Sequence, residues 1–118
     1  MAELIKEGDE LVVKLSTLEK AEAAHGDVRV PLSSVRGVEV VDDAAHAVPG
    51  WKVIGAGWPG SFAIGTYSGG PDNQKTFAVV HHDHPRGVKV RLEGARFDLL
   101  VISSEDPAAA VSELGDVG

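Results

Sequence analysis

Residues 81–84 read His81-His82-Asp83-His84 and hold three of the chain's five histidines. Imidazoles beside a carboxylate are the donor types of a zinc or nickel site. On a strand, residues two apart share a face, so His82 and His84 have the spacing to pinch one metal ion. His81 and Asp83 complete the candidate set, but they face the other way unless a bulge intervenes. The same string also reads as a hairpin end. Asp83, Pro85 and Gly87 are turn residues, and the histidines would then flank the turn in water. The regular alternation on either side favours the turn. His25 and His46 stand alone and remote in sequence.

Other chemical motifs are weaker. Gly55-Ala-Gly57-Trp-Pro-Gly60 matches the glycine pattern of a dinucleotide loop. That pattern carries meaning only between a strand and a helix, and Pro59-Gly60 leads into a strand-like segment instead. Serines and acids are plentiful, yet no Gly-x-Ser-x-Gly elbow occurs. No catalytic residue is assigned, no enzyme activity is expected, and no cofactor is implied.

The aromatic residues are more suggestive. Trp51, Trp58, Phe62 and Tyr67 crowd into one glycine-rich segment. Trp and Tyr combine a large apolar body with a polar tip and are favoured at interfaces. Trp58 lies in "GAGWPG", too short a string to bury an indole by itself. Trp58, Trp51 and Tyr67 are therefore candidate contacts for a ligand or partner.

Charge narrows the partners. The formal net charge is −7, which argues against a broad nucleic-acid or anionic-lipid footprint. Residues 75–96 locally reverse this, with Lys75, Arg86, Lys89, Arg91 and Arg96 against Asp83 and Glu93. Arg86, Lys89 and Arg91 are the candidate contacts of a weak anionic-ligand or membrane-surface site. There is no cysteine, which excludes disulfides and fits a reducing, cytoplasmic setting. "MAELIKEGDELVV" lacks the pattern of a signal peptide, and no apolar run approaches the ~20 residues of a membrane span.

The elements that must position these groups read as short strands. "ELVVKL" (10–15), "DVRVP" (27–31), "VEVV" (38–41), "SFAIGTY" (61–67), "KTFAVVHH" (75–82), "VKVRLEG" (88–94) and "RFDLLVIS" (96–103) carry β-branched or alternating apolar residues. "STLEKAEAAHG" (16–26) predicts a short helix capped by Ser16 or Thr17, and Asp42 or Asp43 a single helical turn. Residues 51–60 read as glycine turn and bulge. "EDPAAAVSELG" (105–115) predicts a closing helix with Asp106 as cap and Pro107 first. The late strands are joined by short connections, which predicts antiparallel neighbours. The length suits one domain over residues 1–118, with a flexible tail at 116–118.

"GDVRVPLSSVRGVEVV", "PGSFAIGTY" and "EGARFDLLVISSEDPAAAV" together resemble small bacterial, especially actinobacterial, proteins with pleckstrin-homology-like (PH-like) domains. The resemblance spans nearly the whole chain. It implies a mainly β (α+β) fold, a bent antiparallel barrel of about seven strands capped by a C-terminal helix. It maps no catalytic residue here. Relatives that bind phosphoinositides cluster cations on their first strands. In this chain Lys14, Lys20 and Arg29 are spread among Glu19, Glu22 and Asp27, which argues against phosphoinositide binding. The expectation is a non-enzymatic binding or protein-interaction module, with a protein partner or self-association. The alternatives are a metal site at His81–His84 and the anionic site at residues 86–96.

Overall fold

The computed structural model describes residues 1–114; the tail expected at 116–118 lies outside them. The chain is mainly β, with strands β1 (Glu3–Glu7), β2 (Glu10–Lys14), β3 (Val28–Pro31), β4 (Val35–Val41), β5 (Trp51–Trp58), β6 (Phe62–Gly69), β7 (Gln74–Val80), β8 (Gly87–Leu92) and β9 (Leu99–Ser103). Helices α1 (Thr17–Ala23), α2 (Ala44–Ala47) and α3 (Pro107–Leu114) interrupt or close the series.

Local chemistry explains the helices. Ser16 caps α1, and Glu19 returns the bond in a reciprocal capping box. Ala24 then leaves the helix in the left-handed conformation. Asp43 caps α2 by accepting from the His46 N–H, and Asp106 caps α3 by accepting from the Ala109 N–H.

The strands form two sheets, β1-β2-β3 and β4-β8-β9-β7-β6-β5. A 3-10 turn at Leu32–Ser34 ends the small ladder. A register break between Val35 and Gly37 then starts the large one, so the chain crosses between sheets there. The expected closed barrel does not form: the larger sheet is open, with β4 and β5 as its two edges. The all-antiparallel expectation for the late strands is also corrected. β9 inserts between β7 and β8, running parallel to β7 and antiparallel to β8. After β7 the turn at His81–His84 closes with a single bridge, and β8 then diverges, leaving a slot that β9 fills.

Alternation builds the core. Leu11, Val13, Val28 and Val30 of the small sheet meet Ile64, Phe77, Val79, Val88, Val90, Leu100 and Ile102 of the large one. The reverse face of the large sheet buries Ala63, Ala78, Val80, Leu99 and Val101 beneath α2. β5 replaces the turn expected at 51–60. Its Gly55 (φ +132°) lies opposite Gly65 (φ +145°). A side chain on either would collide with the backbone across the ladder, so these glycines permit close approach rather than reversal. A bulge between Lys52 and Ile54 bends the strand.

Candidate functional site

The three aromatic candidates come together. Trp51 and Trp58, at opposite ends of β5, and Tyr67 of β6 line one cleft of about 510 Å3 between α2 and the β5–β6 hairpin. That volume lies in the range of small-ligand and peptide-anchor pockets, roughly 300–1,000 Å3. Each tryptophan is 69% exposed, although indoles are ordinarily well covered. The Trp51 ring lies over Gly69, and the Tyr67 hydroxyl lies against Gly57. These glycines leave room that a side chain would fill. Partial burial raises the Tyr67 phenol above its ordinary pKa, so it stays a neutral donor.

The wall opposite the hairpin comes from Ala45, His46 and Val48. His46 Nδ1 lies 2.6 Å from Asp43 Oδ2, and the His46 N–H donates to Asp43 Oδ1 at 3.2 Å. The His46 ring and then its backbone N–H hold the Asp43 carboxyl below its usual range. Sequence reasoning set His46 aside as solitary. Its signal was the Asp-x-x-His spacing on one helical turn, which brings cap and imidazole together.

The histidine string folds as the turn that its flanking alternation favours. His81 and His84 face each other across the turn, with the His84 N–H donating to the His81 carbonyl at 3.1 Å. Ser103 ties the turn to β9 by accepting from the His81 N–H (2.9 Å) and donating to the His84 carbonyl (2.7 Å). The His81 ring is engaged elsewhere, with Nε2 2.6 Å from Glu19 Oε2. Glu19, only 2% exposed, also accepts from the Ala2 N–H (2.9 Å) and the Ser16 N–H (2.8 Å). Burial would raise its pKa, but the Ser16 backbone, His81 and the Ser16 hydroxyl outweigh it and hold the carboxyl low. Among the described residues, no three histidines or carboxylates converge on a point where a metal could sit. His82 and Asp83 are exposed on the turn. The cluster as arranged anchors the β7–β8 turn to α1 and the N-terminal strand.

Two of the three basic candidates, Arg86 and Lys89, are matched by carboxylates on and after β4. Lys89 Nζ lies 3.8 Å from Glu39, and Arg86 Nε lies 3.5 Å from Asp42. The Arg91 guanidinium lies across Gly37. Lys75 and Arg96 sit over the Phe97 ring at 5.3 and 5.5 Å. Cross-strand pairing of β4 with β8 makes the segment a mixed-charge face rather than a uniform basic one.

No described helix is long and apolar enough to cross a membrane. Comparison of the chain with protein-family models, with curated proteins and with solved structures finds no match.

Proposed function

We propose that this chain is a non-enzymatic binding module that holds an extended apolar segment of a protein partner in the Trp51–Trp58–Tyr67 cleft. One observation carries the reading: two tryptophans, at the two ends of β5, are left 69% exposed and line a single cleft. Exposing indoles to water forgoes burial worth about 1.5–3 kcal/mol per large apolar side chain, which a partner would recover. Flat rings along a groove suit an extended peptide, whose side chains lie between them and whose backbone needs few partners. Lys52 and His46 at the rim supply polar contacts. The PH-like resemblance belongs to the same proposal: short strands closed by α3 support it, and the open large sheet departs from it. A cytoplasmic setting is proposed with it, on the cysteine-free composition.

The chain's two tryptophans both line the cleft, so intrinsic fluorescence reports on it alone. A panel of proline-rich, apolar extended and charged peptides is titrated into the protein. The proposal expects saturable spectral shifts with the first two classes, and calorimetric binding of those peptides that is lost in Trp51→Ala/Trp58→Ala. Unchanged spectra with every peptide, or equal affinity in the variant measured by calorimetry, would refute it.

A further inference from the structure

We propose that two copies of this chain associate through their β5 edges, as an antiparallel pair with its two-fold axis at Ala56. The four sheet edges differ in a way that points there. β1 carries Glu3, Lys6 and Glu7, β3 carries Arg29 and Pro31, and β4 carries Arg36 and Glu39. Charge and proline are the usual guards against edge-to-edge pairing. β5 has Lys52 as its one charged residue, and it exposes Trp51 (69%), Val53 (61%), Ile54 (50%) and Trp58 (69%). Among the described residues its ladder partner is β6 alone.

The area is of the right order. Those four side chains expose about 500 Å2 of apolar surface, against roughly 800 Å2 per partner in a standard interface. Backbone pairing and the flanking Pro59, itself exposed, supply the remainder. The register follows from the bulge at Val53, which spoils pairing before Ile54 and leaves Ile54–Trp58 regular. A two-fold axis at Ala56 sets Ile54 against Trp58 of the second copy and Gly55 against Gly57. Small residues at the centre let the backbones approach, and apolar pairs close both ends. Lys52 stays outside the ladder, so no like charges face each other directly. Each copy carries a net charge of −7, so added salt strengthens the pair by screening.

The association goes beyond the cleft reading and shares Trp51 and Trp58 with it, but it is tested apart through Ile54, which does not line the cleft. Sedimentation over a wide concentration range should show a 12.3 kDa species giving way to one of twice that mass. The transition is expected at about 10–100 µM, as for a modest interface. Ile54→Lys should move it upward at least tenfold, whereas Val40→Lys on the opposite edge should leave it in place. Ala56→Cys should give disulfide-linked dimers on oxidation, since facing Cβ atoms lie about 5 Å apart. Far-UV circular dichroism confirms that each variant folds. A 12.3 kDa species at every concentration, an Ile54→Lys variant that dimerises like the parent, or a folded Ala56→Cys that fails to cross-link would each overturn the proposal.

Discussion

Replacing Glu19 by alanine removes the acceptor of three donors at once: the Ala2 N–H, the Ser16 N–H and His81 Nε2. Ala2 is 5% exposed, so its N–H cannot turn to water. Leaving that donor unmet costs about 1–3 kcal/mol, and loss of the capping box about 1 kcal/mol more. The expected destabilisation is about 3 kcal/mol, or roughly 10 °C in Tm for a domain of this size. Urea denaturation followed by circular dichroism measures it, with unchanged m-value as the check on two-state behaviour. The charge adds a pH signature. Glu19's carboxyl titrates below its ordinary value in the folded chain, so its stabilisation is complete above the ordinary carboxylate range. It drains away as pH falls through the depressed folded value. Glu19→Gln should therefore show a shallower loss of stability between about pH 5 and pH 3 than the parent. A Glu19→Ala penalty below about 0.5 kcal/mol, typical of surface positions, would refute the view that this carboxylate ties the N-terminal strand, α1 and the β7–β8 turn together.

Three further outcomes follow from single atoms or angles. Thr76 is fully buried and its Oγ1 has no hydrogen-bond partner among the described residues, so Thr76→Val should be neutral or stabilise by up to about 1 kcal/mol in the same urea assay. Gly55→Ala places a Cβ into the Ile64 carbonyl at a positive φ, and should lower the urea midpoint by the equivalent of at least about 2 kcal/mol. Trp51→Ala and Trp58→Ala should each change stability by less than about 1 kcal/mol, because both rings are largely exposed already.

Strict alternation made the later strands legible. Val88, Val90 and Leu92 point into one core, and they do so because the pleat repeats every two residues. The caps were readable to within one residue, as Ser16 or Thr17, Asp42 or Asp43, and Asp106, because one side chain satisfies one nearby N–H; the structure places them at Ser16, Asp43 and Asp106. β1 was hidden because "ELIKE" has too few apolar residues to show a period, and its pairing with β2 is tertiary information. β5 was hidden because Gly55 and Gly57 read locally as a turn, whereas their role is close approach to β6. The parallel β7–β9 pair could not be inferred from loop length, because insertion of a later strand between two earlier ones leaves no local trace. Trp51, Trp58 and Tyr67 were identified from composition, but the fold is what places them around one cleft with His46. His81 was read as one side of a turn, with a metal site as the alternative, and neither reading reached its ring partner, Glu19, which lies 62 residues away.

The central claim concerns what the cleft receives, and nitrogen-15 NMR of the Ile54→Lys variant titrated with the extended apolar and proline-rich peptides tests it most directly. The two indole N–H signals should shift together and saturate, accompanied by backbone signals of Ala45, His46, Gly57 and Tyr67. Shifts that instead gather at His81–His84 or along Lys89 and Arg91, or spectra that no peptide alters, would contradict it.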